Sequence, residues 1–225
     1  MLLAGAAADG RCFRCITQPQ QIEAESFAII AGILAGEFPD YRFADPLQEK
    51  IIKRAIHTTA DFDWLEILHF SADGCERIRQ ALCQGCQIFT DTNMALAGIN
   101  KRRLAQLDCR IHCFVADPQV AALAKAQGIT RSMAAVDLAM QQPGPRLFVF
   151  GNAPTALFRL LEICQGAPEL ACPVVGVPVG FVGAAESKAA LMASPLPHIA
   201  AKGRKGGSNV AAAIINAILY DLESH

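Results

Sequence analysis

Charge is scarce in this chain of 225 residues: Asp, Glu, Lys and Arg make up only 18% of it. The 20 basic and 21 acidic residues nearly cancel, and no block of like charge occurs. Clustered cations are what a nucleic acid or an anionic membrane surface demands, so neither is expected as a main partner. No apolar run approaches the ~20 residues of a membrane span. The opening MLLAGAAADG has no Lys or Arg ahead of its apolar residues, which argues against a secretory signal. A cytoplasmic location is expected. Phosphate-binding signatures are missing too. No G-x-G-x-x-G follows a strand, and GFVGAAESK places Ser187 before Lys188, the reverse of a Walker loop. Repeats and low-complexity segments are absent.

Apolar residues, by contrast, reach 52%. Either a sheet is covered on both faces, or some surface is buried in an oligomer. The length suits one well-buried domain with room for a small excursion. Nine cysteines include two C-x-x-C pairs, Cys12–Cys15 and Cys83–Cys86, a spacing that can hold zinc. The pairs stand far apart in unlike contexts, and i, i+3 spacing arises readily at the end of a helix. The odd total also disfavours a disulfide framework. Buried or incidental thiols and no metal are the expectation, with Cys109, Cys113, Cys164 and Cys172 inside strands or helices.

The rest of the chain alternates strands and helices. Helices are expected over Ile22–Leu34, Leu47–Thr59, Asp73–Gln84, Arg131–Gln141 and Asn209–Leu222. Others begin at Thr92, Pro118 and Pro154, with one more around Ala185–Met192. Strands are expected over Glu66–Phe70, Gln87–Thr90, Cys109–Val115, Arg146–Phe150, Cys172–Val177 and His198–Ala201. Asp117 followed by Pro118 reads as an N-cap and first helical position, and Ser208 as the cap of the last helix. Such alternation with short connections implies a mainly parallel sheet with helices on both faces.

Ligands in such sheets bind beyond the carboxyl ends of the strands. The unusual residues gather there: Asp91-Thr92, Gly151-Asn152 and the run Val174–Lys188 with Gly176, Gly180 and Gly183. Glycine and Pro178 are costly inside regular elements, so this run suggests backbone brought close to something bulky. Helix N-termini at the same ends suit an anion. The segment GRKGGSN from Gly203 reads either as a phosphate-wrapping nest or as a tight turn and helix cap. On the helix Leu47–Thr59, Lys50, Lys53, Arg54 and His57 form one polar stripe. It can be a solvated face carrying a passenger histidine. It also has the chemistry to grip a polycarboxylate and deliver a proton, since imidazole changes charge near neutral pH. Asp61 and Asp63 read as a turn ending that helix; His69, His112, His198 and His225 read as structural.

The phrases SFAII (Ser26–Ile30), RAIH (Arg54–His57), TDTNMALAGI (Thr90–Ile99), TRS (Thr130–Ser132), GNAPTAL (Gly151–Leu157), VGVPVGFVGAAESK (Val175–Lys188) and GRKGGSN (Gly203–Asn209) resemble the precorrin-8X methylmutases of corrin biosynthesis. The likeness runs in order from about Ile22 to the last helix. Residues 22–225 are expected to form one methylmutase domain and residues 1–21 an extension. Ala60 stands where the family commonly has Gly.

The resemblance implies a flavodoxin-like homodimer that binds a tetrapyrrole-derived, carboxylate-rich corrinoid substrate. It moves a methyl group from C-11 to C-12 with no added cofactor, giving cobyrinate or hydrogenobyrinate. By motif position His57 corresponds to the catalytic histidine, which protonates the macrocycle, and Ser26 and Arg131 to site-lining residues. Arg54, Thr92, Ser132, Asn152, Gly180, Gly183, Arg204, Lys205, Gly206 and Ser208 complete the expected substrate-binding set. Two rivals are a non-catalytic corrinoid carrier and a flavodoxin-like module that binds a nucleotide or phosphate. Lys205 leans towards the cobalt-containing substrate.

Overall fold

The computed structural model describes residues 2–6, 12–16 and 18–223, the first two segments by their backbone. The Cys12 and Cys15 thiols and His225 lie outside the described residues. The chain divides into two compact units, Met1–Ala44 and Asp45–His225.

In the first unit, β1 (Leu2–Ala6) pairs antiparallel with β2 (Cys12–Ile16), and α1 (Pro19–Glu37) follows. The hairpin was not legible in the sequence. α1 begins earlier than Ile22 because Pro19 suits the first helical turn, where a missing N–H goes unnoticed. It stops where the Phe38 N–H closes back on the Leu34 carbonyl.

The second unit opens with α2 (Pro46–Thr59), α3 (Trp64–Ile67), β3 (Leu68–Phe70) and α4 (Gly74–Cys83). It continues through β4 (Gln87–Thr90), α5 (Asn93–Gly98), α6 (Lys101–Gln106), β5 (Arg110–His112), α7 (Pro118–Gln127) and α8 (Arg131–Met140). It ends with β6 (Arg146–Phe150), α9 (Pro154–Gly166), β7 (Val174–Gly176), α10 (Ala184–Ala193), β8 (His198–Ala201) and α11 (Ser208–Glu223). The six strands lie in the order β3-β8-β7-β6-β4-β5. All neighbours are parallel except β3, which runs antiparallel to β8 with Leu68 opposite Ala201. With β3 set aside, the order is that of the flavodoxin-like sheet, whose switch point falls between β4 and β6.

Both faces of the sheet are covered, one of the two readings that the apolar composition left open. Phe148 and Phe150 of β6 join Leu157 and Leu160 of α9 and Leu191 of α10 in one buried cluster. Leu147 and Val149 alternate to the other face, where α4 and α11 pack on β6, and α2 lies on α11. Each such fully buried side chain contributes about 1.5–3 kcal/mol.

Local signals set most of the helix starts. Asp45 accepts from the Leu47 and Gln48 N–H groups, and Asp117 from Gln119. Four expectations need correction. The strand expected over Cys172–Val177 shrinks to Val174–Gly176, which leaves Cys172 outside it. The strand expected over Cys109–Val115 shrinks to Arg110–His112, because at the sheet edge it pairs only with Gln87–Phe89 of β4. Glu66–Phe70 splits into the end of α3 and the short β3. There the buried Trp64 donates its indole N–H to Thr59 Oγ1 at 2.8 Å and holds a helical turn. α11 starts at Ser208 itself, with the Gly207 carbonyl accepting from Ala211 N–H, so Ser208 is not the cap.

Candidate functional site

Five parallel strands present their carboxyl ends along one edge, and the segments expected to bind ligand leave from that edge. β4 leads to Asp91 and Thr92, β6 to Gly151 and Asn152, β7 to the Val177–Gly183 run, and β8 to residues 202–207. At the switch point the buried Asp91 carboxylate accepts N–H bonds from Gly151 (2.9 Å), Asn152 (2.7 Å) and Ala153 (2.6 Å). Burial pushes its pKa up, and the three donors pull it back. These amides were expected to meet substrate carboxylates. They are already satisfied by the protein's own acid.

Thr92 caps α5 by accepting from Ala95 N–H, and its hydroxyl lies 2.7 Å from that of Ser208. Gly151 allows this approach, since a Cβ there would stand 2.5 Å from Ser208 Cα. Thr130 caps α8 directly before Arg131 and Ser132, and its hydroxyl meets Thr155 of α9 at 3.2 Å. The exposed Arg131 is thereby brought beside the start of α9. Ser132 lines a crevice of roughly 20 Å³ with Thr90, Asp91, His112 and Phe150, far too small for a macrocycle. Within it His112 Nε2 is buried without a hydrogen-bond partner among the described residues.

The loops after β7 and β8 are laced together. Gly207 N–H donates to the Val177 carbonyl at 2.9 Å, and Gly180 N–H to the Arg204 carbonyl at 3.1 Å. A Cβ at Gly206 would stand 2.1 Å from the Val177 oxygen, so this glycine makes room for backbone. Gly183, at φ 75°, turns the chain into α10 in a conformation that side chains resist. Beyond them Phe181 and Val182 are 85% and 91% exposed, an apolar tip with the Arg204 guanidinium 5.7 Å from the Phe181 ring centre. Lys205 Nζ is held by Asp61 and Asp63. Its pKa rises and that of Asp61 falls, because each stabilises the other's charged form.

That contact places His57. β3 runs against its one neighbour, β8, so the chain entering it arrives at the carboxyl edge of that strand, where Lys202 N–H donates to the Ile67 carbonyl at 2.7 Å. The end of α2 is carried to the same edge. His57 is exposed in the last turn of α2, four residues before Asp61. The rest of the polar stripe is engaged within the unit. Lys50 pairs with the buried Asp221 at 2.6 Å, Lys53 with Glu49, and Arg54 stacks 4.9 Å from the Tyr220 ring centre. Ser26 lies on α1 in the first unit and donates to the Ile22 carbonyl at 2.8 Å.

Sequence reasoning put Asp91 and Lys188 at the strand ends but gave neither a role, because nothing local tells a buried charge from a surface one. Phe181 was passed over too, although a bulky residue inside a glycine run was a usable signal. A concavity of about 610 Å³ between the C-terminal halves of α9 and α10 holds none of the expected residues. Among the described residues no His, Cys, Asp or Glu group could hold a metal ion, and no helix is long and apolar enough to cross a membrane. Cys83 is exposed while Cys86 is buried.

The precorrin-8X methylmutase family model matches residues 21–221. The chain is 62% identical over 208 residues to the cobalt-precorrin-8 methylmutase of Salmonella typhimurium, covering 92% of this chain and 97% of that one. It is 39% identical over 213 residues to the precorrin-8X methylmutase of Pseudomonas aeruginosa, covering 92% and 98%. The solved structure of precorrin-8x methyl mutase from Thermus thermophilus superposes with a TM-score of 0.79 at 33% identity, covering 90% and 98%.

Proposed function

The chain belongs to the precorrin-8X methylmutase family, and from that premise we propose how it carries out the family's reaction. It is an isomerase of corrin biosynthesis that moves a methyl group within a corrinoid precursor, from C-11 to C-12. Cobalt-precorrin-8 is the proposed substrate, since the relative of that name is 62% identical against 39% for the precorrin-8X relative. The observation that carries the reading is that the segments of the second unit bearing the family motifs leave from one edge of the sheet, with the end of α2, which bears His57, tied there through Asp61 and Lys205.

A methyl shift within one molecule requires a surface for a broad ring, a grip on its carboxylates and a proton source. Phe181 and Val182 offer an apolar face; Arg131 and Arg204 offer exposed cations. Thr92, Ser132, Asn152, Ser208 and the glycines at 180, 183 and 206 shape the edge, and Ser26 of α1 contributes to holding substrate. Lys205 contributes through its tie to Asp61 and Asp63. His57 protonates the macrocycle, a contribution of about 10²–10⁴-fold in rate. The protein works in the cytoplasm as a homodimer, with residues 22–225 as the methylmutase domain and residues 1–21 as an extension.

The test is incubation with cobalt-precorrin-8 and with its metal-free form, following the absorption change on methyl migration. Turnover is expected, faster with the cobalt form. In His57→Ala, binding of the product persists while turnover falls by about 10²-fold or more. Wild-type turnover in that variant would remove His57 from the chemistry, and product binding without any conversion would instead make the protein a carrier.

A further inference from the structure

Lys188 sits on α10 with its side chain wholly buried, and its ammonium donates to the Lys205 carbonyl at 2.6 Å. Among the described residues no carboxylate offsets the charge, and burial pushes the pKa of the ammonium down to about 8. A buried charge with one carbonyl as its partner is a poor way to gain stability. A methionine of similar length would fill the same space without that cost. What the ammonium does hold is the middle of the 203–207 loop. Lys205 is gripped at both ends, its carbonyl by Lys188 from beneath and its own ammonium by Asp61 and Asp63 from the side. On either side of this anchor stand the two backbone bonds that join the loop to the β7 exit, Gly180 N–H to Arg204 and Gly207 N–H to Val177.

The structure assigns Lys188 as a positioning residue of the methylmutase: its ammonium fixes the 203–207 loop, and through it Arg204 and the Phe181 tip, in the arrangement that grips the substrate. This rests on the proposed function. Lys188 touches no reacting atom, so its removal weakens binding in ground and transition states alike and leaves the chemical step intact. That predicts a particular kinetic split.

The test compares wild type with Lys188→Met by amide hydrogen exchange without substrate and by kinetics with cobalt-precorrin-8. In the variant the Gly207 and Gly180 amides are expected to exchange at least ~10-fold faster, while α11 amides such as Ile214 keep their protection. KM rises about 10-fold with kcat within about threefold, and Tm is unchanged or higher. Lys188→Gln ends short of the Lys205 carbonyl and is read in the same way if the methionine variant does not fold. Unchanged exchange at Gly207, or an unchanged KM with a lowered Tm, overturns the assignment and leaves Lys188 a packing residue. The exchange measurement needs no substrate, so a wild-type protein without turnover would overturn the proposed function and leave the loop result standing by itself.

Discussion

Asp91 and Ala60 are single residues whose effects can be isolated. Asp91 gathers three successive N–H groups that the turn into α9 would leave unpaired. Asparagine is nearly the same shape but offers one oxygen and turns an amide N–H₂ towards a donor. Asp91→Asn should therefore cost about 2–4 kcal/mol, read as a lower urea midpoint at unchanged m, with turnover falling as the 151–153 turn loosens. An unchanged midpoint would mean that these bonds contribute little. Ala60 ends α2 in the left-handed region at φ 53°, ψ 32°. That accounts for the glycine the family commonly has there. Ala60→Gly relieves about 1 kcal/mol of strain, raising Tm by about 2–4 °C. A fall in Tm would contradict the strain argument.

At the level of elements, the join between β3 and β8 carries a pH dependence. His198 Nδ1 lies 2.7 Å from the Leu196 carbonyl, which fixes its proton on that nitrogen and leaves Nε2 as an acceptor. His69 Nδ1, 3.1 Å from that Nε2, must then be the donor. Both rings are neutral in this arrangement, and burial pushes both pKa values below 6.5. The unfolded chain thus takes up protons first. Stability is full above pH 6.5 and falls as the pH drops towards the lowered values of the folded pair. Urea melts at pH 7.5 and 5.5 should show this loss, and His69→Gln should lessen it; a melt independent of pH would refute it. The periodicity of β3 showed a strand but not its direction. The N-cap at Asp117 was legible because a cap depends on residues within one turn. The supposed cap Ser208 failed because its hydroxyl bonds instead to Thr92, more than a hundred residues away in the chain.

For the whole molecule, the family model begins at residue 21, so a chain starting at Gln21 is expected to retain methyl migration. Loss of turnover with the fold intact would give residues 1–20 a role in the reaction. The proposed homodimer is checked by light scattering, where a monomer mass would refute it. Much of this protein was determined by the sequence alone: the alternation of strands and helices, the parallel sheet, and the motifs of the family. These rest on short-range periodicity, glycine conformation and local order, which neighbours in the chain fix between themselves. Only the tertiary structure decided where the few charges went. Lys50 and Lys205 of the expected grip are taken by Asp221, Asp61 and Asp63, Asp91 holds the amides meant for a ligand, and Lys188 anchors a loop from beneath. It also decided that the chain just after α2 reaches the 203–207 loop, where Asp61 pairs with Lys205, because one short strand runs backwards. Such pairings join residues far apart in the chain, and no local pattern encodes which crossing brings them together.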